Sequence, residues 1–144
     1  MNLLGVLDLS GTALKAERLR AEVVAANLAN AQTTRTPQGG PYVRQQVVFS
    51  AAQSGVVGSF AQTLAGVRAP AVRVSGPVGD PTPPVLRYEP GHPDANAEGM
   101  VAYPAINPVQ EIVDLMDASR AYQLNTAAVQ ATKNMIQQSI EILH

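Results

Sequence analysis

Both ends of this chain predict long helices with apolar residues on two opposite sides, which constrains the fold because one neighbouring helix covers only one side. Near the C-terminus, one series steps by three and four residues, and seven of its ten members are large and apolar or aromatic: Ile112, Leu115, Ser119, Tyr122, Thr126, Val129, Lys133, Ile136, Ile140 and Leu143. A second series with the same step contains Ala121, Leu124, Ala128 and Met135. At about 100° per residue the two series lie roughly 200° apart. Such helices are normally buried by several neighbours, and a chain this small would need other chains to supply them.

The N-terminal residues 3–30 repeat this pattern. One series contains Leu7, Leu14, Ala21, Val24 and Leu28, and the opposite series contains Val6, Ala13, Ala16, Val23 and Asn27. Asn27 is polar on an otherwise apolar stripe, and a polar residue in a helix seam commonly fixes the register between chains. Asn30 suits a helix end, where asparagine tolerates the left-handed conformation.

The middle of the chain differs from both ends. Residues 42–49, 67–74 and 85–88 have strand-like composition, and six of the eleven prolines lie between Gly76 and Pro93. Asn107-Pro108 predicts a capped start for a second helix that runs to about residue 143, roughly 54 Å long. A compact chain of this length is only about 35–40 Å across. We therefore predict an α+β fold: residues 1–32 and 106–144 pair as an antiparallel coiled coil, and residues 33–105 form an extended, β-containing insertion.

Composition excludes several functions. The net charge of −1 with ten scattered basic residues argues against nucleic acid, and the absence of cysteine excludes disulfides and thiol catalysis. No apolar run is long enough to span a membrane, and no cleaved secretory signal is expected. With two Phe, four Tyr and no Trp, a small-molecule pocket is not expected.

Candidate polar sites have simpler explanations. Residues 94–99 begin like a calcium loop, but Ala105 stands where the twelfth-position glutamate belongs. We expect instead a turn in which Asp94 and Asn96 bond the backbone and Gly99 has a positive φ. The two histidines have no metal-ligand spacing, and Glu111 and Asp114 suit a solvated helix face or the helix dipole. No catalytic residue, metal or cofactor is predicted.

Several segments resemble the flagellar rod and hook proteins. The N-terminal signature is the sequence VVAANLANA at residues 23–31, followed by Thr33. Residues 40–42 and 46–49, residues 92–96 with the GMVAYP block at 99–104, and residues 111, 118–123 and 132–133 resemble later blocks of a proximal rod protein in this family. Residues 50–90 carry no matching motif.

The resemblance implies a non-enzymatic subunit of the bacterial flagellar basal body. Such proteins leave the cell through the flagellar export apparatus and assemble in the periplasm, with copies of themselves and other rod proteins, into a helical tube. That tube transmits torque and lines the export channel. The residues expected at interfaces are Leu14, Val24, Asn27, Leu28, Asn30, Tyr103, Arg120, Tyr122, Val129, Ile136 and Ile140. Two alternatives stay open: a soluble coiled-coil adaptor that binds one partner helix, and an enzyme.

Overall fold

Two long helices and six short strands make up the described part of the chain. The structure, a computed structural model, describes residues 3–52 and 71–141. Helix α1 is Leu3–Ala29 and helix α2 is Pro108–Glu141. The strands between them are β1 (Gln45–Gln46), β2 (Phe49–Ala52), β3 (Ala71–Val74), β4 (Val78–Gly79), β5 (Val85–Tyr88) and β6 (Met100–Tyr103). The predicted α+β class is confirmed, while residues 67–70 of a predicted strand and residues 142–144 lie outside the described residues.

Local hydrogen bonds explain where the helices begin and end. The Asn107 side-chain oxygen accepts a hydrogen bond from the Val109 amide at 3.0 Å, which is the predicted N-terminal cap of α2. From there α2 runs for 34 residues, or about 51 Å. At the end of α1, the Asn30 side chain donates to the Ala26 carbonyl at 2.9 Å. The left-handed conformation expected for Asn30 is wrong, because the described residues with positive φ are all glycines.

Helices α1 and α2 pack against each other in antiparallel directions. The last turns of α1 lie beside the first turns of α2, where Asn27 bonds Glu111 at 3.2 Å and Arg20 lies 3.6 Å from Asp114. Strand β3 and the short strand β1 also contact α1. The insertion is therefore attached to the helix pair along α1.

The side of α2 that α1 covers is small and polar. Its buried residues are Glu111, Ala118 and Thr132, which are spaced by multiples of seven. They lie at the edge of the first predicted apolar series, in line with Val129 and Ile136, which are half-buried. Small side chains at the contact line let two helices approach closely, and the large apolar side chains are left outside, with Leu124 69% exposed. On α1 the buried residues are Ser10, Ala16, Val23, Val24 and Asn27, which come from both predicted stripes.

The strands form three separate antiparallel pairs: β1 with β4, β2 with β3, and β5 with β6. The single strand predicted over residues 42–49 is wrong, since this segment divides between β1 and β2, which pair with different partners. The returning chain is interrupted between β3 and β4 by Gly76 and Pro77. Proline lacks the N–H that a continuous ladder needs, so pairing stops and restarts beyond it.

Strands β5 and β6 form a hairpin around a tight polar loop. The Asn96 side-chain oxygen accepts hydrogen bonds from the Glu98 and Met100 amides, both at 2.9 Å, and Gly99 has a φ of 76°, as predicted. The expectation that Asp94 bonds the backbone is wrong, because its carboxylate accepts a hydrogen bond from the Thr34 hydroxyl at 2.7 Å. Asp94 therefore ties the loop to the segment that follows α1.

Candidate functional site

Asn27, at the end of α1, is a buried polar side chain with four hydrogen bonds. It is 1% exposed. Its amide nitrogen donates to the Gln45 carbonyl at 2.8 Å and to Glu111 Oε2 at 3.2 Å. Its oxygen accepts hydrogen bonds from the Gln45 amide at 2.9 Å and the Tyr42 hydroxyl at 3.1 Å. An asparagine side chain has two donors and two acceptor positions, so all its bonding capacity is used within one chain.

Glu111, in the first turn of α2, completes the connection. It is 1% exposed, and its second carboxylate oxygen accepts a hydrogen bond from Arg44 Nε at 2.7 Å. A buried carboxylate is stable only when it is paired and hydrogen-bonded, and both of its oxygens are. The expectation that Glu111 lies on a solvated face is therefore wrong. We call Asn27, Tyr42, Arg44, Asp80 and Glu111 the polar junction.

Arg44 links the junction to strand β4. Its Nη1 donates to Asp80 at 3.3 Å, and its Nη2 lies 3.8 Å from Asp114. Burial favours the neutral guanidine, but the hydrogen bonds and negative charges of Glu111 and Asp80 outweigh it and raise the pKa of Arg44. The Arg44 charge is thus fixed among carboxylates from two elements.

Two other groups in the junction have shifted pKa values. Burial, reinforced by the nearby Glu111 charge, raises the pKa of the Tyr42 hydroxyl. Hydrogen bonds from the side chain and backbone of Thr82 lower the pKa of Asp80, and Arg44 and Gln46 add to this effect. Both pKa shifts favour the protonation states that the hydrogen bonds require, a protonated Tyr42 hydroxyl and an ionised Asp80 carboxylate.

The junction has the character of a structural connection. It joins four segments: the end of α1, the chain at residues 42–46, the Asp80 turn and the start of α2. The cavity beside it is about 220 Å³ and is lined by Arg20, Val23, Val24, Asn27, Arg44, Gln45, Gln46, Val47 and Asp114. Within the described ranges, no group of three His, Asp or Glu side chains could hold a metal ion. None of the described helices is long and apolar enough to cross a membrane.

A second feature is the groove along one side of the helix pair. It is about 590 Å³ in volume and is lined by Glu17, Arg18, Ala21, Leu115, Ala118, Ser119, Tyr122 and Gln123. Tyr122 at its rim is 44% exposed, and a neighbouring depression includes Arg120 and Met116. Exposed tyrosine, arginine and methionine are the residue types enriched at protein interfaces.

The structure distributes the predicted interface residues over several separate regions. Val24 and Asn27 are buried at or beside the junction, while Leu28 and Asn30 lie at the end of α1. Tyr122 lines the groove, and Arg120 lies in the neighbouring depression. The remaining helical positions are Leu14, Val129 and Ile136, which are half-buried, and Ile140, which is exposed. Their role between chains stays a prediction, since these contacts all lie within one chain.

Tyr103 lies apart from the helices, in a cluster on the β5–β6 hairpin. Its hydroxyl donates to Glu89 at 2.9 Å, and the Arg87 guanidinium lies 4.8 Å from the ring centre. The hydrogen bond to Glu89 and the partial burial of the ring raise the pKa of Tyr103. The His92 ring meets the Tyr103 ring edge-on at 6.3 Å. The cluster holds the two strands and their loop together.

Four junction residues were not predicted as site residues: Tyr42, Arg44, Asp80 and Glu111. A buried glutamate in a first helical turn is hard to distinguish from one that stabilises the helix dipole. The only local signal was that Glu111 lies seven residues before Ala118, in step with the buried side of α2.

These features define a structural subunit of a larger assembly, because the polar groups of the junction are satisfied internally whereas large apolar side chains on α2 stay exposed. Comparison with known proteins agrees. Residues 7–35 match the sequence model of the family described as "Flagella basal body rod protein", and residues 97–142 match that described as "Flagellar basal body rod FlgEFG protein C-terminal".

Relatives along the full length make the assignment specific. The chain is 37% identical to the flagellar basal-body rod protein FlgC of Borreliella burgdorferi, with 99% of each chain covered. It is 38% identical to FlgC of Yersinia enterocolitica, with 99% and 98% covered, and 38% identical to FlgC of Bacillus subtilis, with 94% and 95% covered. The chain belongs to the FlgC family of flagellar basal-body rod proteins. It is thus a structural component of the flagellar rod and not an enzyme.

Proposed function

We propose that this chain is one subunit of a helical tube in the proximal rod, where α1 and α2 pair as an antiparallel coiled coil in the inner layer. Residues 33–105 would form the outer part of the tube. The tube transmits torque and its inner layer lines the export channel. Its partners are copies of itself, other rod proteins and, during delivery to the periplasm, the flagellar export apparatus.

The observation that carries this proposal is the apolar surface of α2 outside its contact with α1. Ile112, Met116 and Leu124 are 47%, 56% and 69% exposed. Burying apolar surface is worth about 25 cal/mol per Å², so neighbouring helices that cover these side chains would be bound favourably. Extended apolar patches on a small protein typically mark interaction surfaces.

The coiled-coil arrangement is supported by the spacing of the covered side of α2. Glu111, Ala118 and Thr132 keep a step that is a multiple of seven. A sustained seven-residue repeat is typical of left-handed coiled coils, because it keeps one stripe facing the partner. Polar residues in such a seam favour one register over others at some cost in stability.

Torque transmission follows from the type of interface. A contact between two different surfaces of identical subunits generates an open helix when its rotation does not close into a ring. Each subunit then contacts several neighbours, and load is divided among many helix seams in parallel.

A substitution at an exposed position on α2 distinguishes the tube hypothesis from the single-partner adaptor hypothesis. We expect Leu124→Asp to leave the purified chain folded, because the side chain is already in water, but to abolish rod assembly and swimming. Ala97→Asp, which places the same charge at an exposed position of the 89–99 loop, is the matched control and should swim normally. Normal swimming of the Leu124→Asp strain would contradict the tube and favour the adaptor.

Channel lining is tested separately in a reconstruction of isolated basal bodies. We expect density for α1 and α2 on the inner wall of the proximal shaft and density for residues 33–105 outside it. Helices located on the outer surface would contradict the inner-layer arrangement.

A further inference from the structure

Helix α2 extends past the start of α1. The antiparallel contacts place Asn27 beside Glu111 and Arg20 beside Asp114. Both helices rise about 1.5 Å per residue, so the same register places Leu3 beside approximately residue 132. Thr132 is accordingly buried. Residues 133–141, which we call the overhang, continue about 13 Å beyond α1.

The overhang carries an apolar stripe with one positive charge. Ile136 lies about five full turns from Ala118 and is therefore on the same side of α2. Around Ala118 this side faces α1. Ile140 and Lys133 lie within about 60° of that side. Ile140 is 54% exposed. Beyond residue 132 no described residue of α1 lies opposite this side, where Ile136 is half-buried and Ile140 is exposed.

The groove between α1 and α2 has complementary chemistry. Ala21, Leu115, Ala118 and Tyr122 give it an apolar lining, and Glu17 places a carboxylate in it. The Glu17 Oε2 atom is buried and receives no hydrogen bond from any residue in the described ranges; Arg20 Nη1 is 3.9 Å away. A buried carboxylate oxygen without a donor costs free energy, so a cation delivered into the groove would be bound favourably.

We propose that the overhang of one copy docks in the groove of a second copy, with Ile136 and Ile140 against the apolar lining and Lys133 donating to Glu17. This inference rests on the proposed function, since it specifies how tube subunits meet. The occupant is a second copy, because Lys133 and Glu17 are complementary in charge and an unbroken helix keeps the overhang of each chain away from its own groove. If Ile136 of one copy lies beside residue 119 of the next, the two copies are shifted by about 25 Å along the helix axis.

The absence of cysteine permits a direct test by cross-linking. Ser119→Cys and Gln137→Cys place one thiol beside the groove and one on the overhang, both at exposed positions. In cells whose own copy of the gene is deleted, we expect oxidised rods that contain the double variant to give a ladder of disulfide-linked multimers. Each single variant should give no multimer larger than a dimer, and Gln137→Cys combined with Ala97→Cys is the control pair that should give no ladder.

The outcomes separate this inference from the proposed function. Rods that assemble and rotate but give no ladder with the Ser119 and Gln137 pair overturn the docking while leaving the tube intact. Rods that lack the chain altogether would overturn both.

A charge exchange tests the Lys133–Glu17 contact. We expect Glu17→Lys and Lys133→Glu each to reduce the number of assembled rods by about tenfold, the effect of losing about 1.4 kcal/mol. The double exchange should restore assembly, and Lys15→Glu, at an exposed position outside the groove, should have no effect. A purely structural role of Glu17 beside Arg20 would not be rescued by Lys133→Glu, so absence of rescue contradicts the contact.

Discussion

Asn27 at the end of α1 donates a hydrogen bond to Glu111 at the start of α2, at 3.2 Å and across 84 positions of sequence. This hydrogen bond joins the two helices at the point where the insertion leaves α1 and returns to α2. Arg44 and Tyr42, from the insertion itself, bond the same two side chains. The geometry of the helix pair and that of the insertion are therefore fixed by one shared group of residues.

Replacing Asn27 tests how much stability the junction contributes. Asn27→Ala leaves the Gln45 backbone groups and the Tyr42 hydroxyl without their partner, and unsatisfied buried groups cost about 1–3 kcal/mol each. We expect a loss of about 2–4 kcal/mol in the free energy of unfolding, measured by urea denaturation, together with loss of swimming. Asn30→Ala at the exposed helix end should cost about 1 kcal/mol or less. Equal effects of the two variants would contradict the central position of Asn27.

The Glu111–Arg44 pair calls for a double-mutant cycle. Glu111→Gln keeps the shape of the side chain but leaves Arg44 beside a neutral group, and breaking a buried pair costs about 3 kcal/mol. We expect Arg44→Met to be similarly harmful. The double variant should cost clearly less than the two single effects added together, because neither charge is then left alone. Strict additivity in urea denaturation would show that the two residues act independently.

Much of the helical part of the fold was readable from the sequence, because its determinants are local. The three-and-four periodicity predicted both helices, and Asn107-Pro108 predicted the start of α2 within a residue. Gly99 followed from the turn chemistry of its neighbours. Such signals act within a few residues, so they need no knowledge of the rest of the chain.

The junction was not readable in this way, because its partners are distant in sequence. Glu111 is bonded to Asn27, 84 residues away, and to Arg44, 67 residues away. Apart from its seven-residue step from Ala118, nothing near Glu111 distinguishes it from a surface carboxylate. The same applies to the covered side of α2, since apolar stripes show which sides need a neighbour but not which neighbour each side meets.

The division of residues 42–49 into β1 and β2 has a similar cause. The segment itself has uninterrupted strand character, and the break comes from Gly76 and Pro77 on the returning chain. A pairing partner had to be known before the break could be located.

Asp80 gives a pH dependence with a defined sign. Hydrogen bonds from Thr82 lower its folded-state pKa below the ordinary value of 3.8, so its ionised form stabilises the fold. That contribution is present above pH 3.8 and is lost as pH falls through the lower folded-state pKa. We expect Asp80→Asn to lower the urea midpoint near neutral pH, and the difference from the parent to shrink in acid. Thr82→Val should reduce the same acid dependence, and a difference that grows in acid would contradict the assignment.

Gly99 offers a matched pair of substitutions in the β5–β6 loop. Its φ is 76°, and an added Cβ would lie 2.9 Å from Tyr88 Cε2 and 3.2 Å from Pro90 Cβ. The left-handed conformation alone costs an alanine about 1–2 kcal/mol, and the contact with the Pro90 ring adds to it. We expect Gly99→Ala to lower the free energy of unfolding by about 2–3 kcal/mol and to weaken the hairpin in hydrogen exchange. Gly91→Ala, eight positions earlier in the same loop, has nothing within 4 Å of the added atom and should change stability by less than about 0.5 kcal/mol. Equal effects of the two alanine substitutions on the free energy of unfolding would contradict the left-handed conformation of Gly99 in this loop.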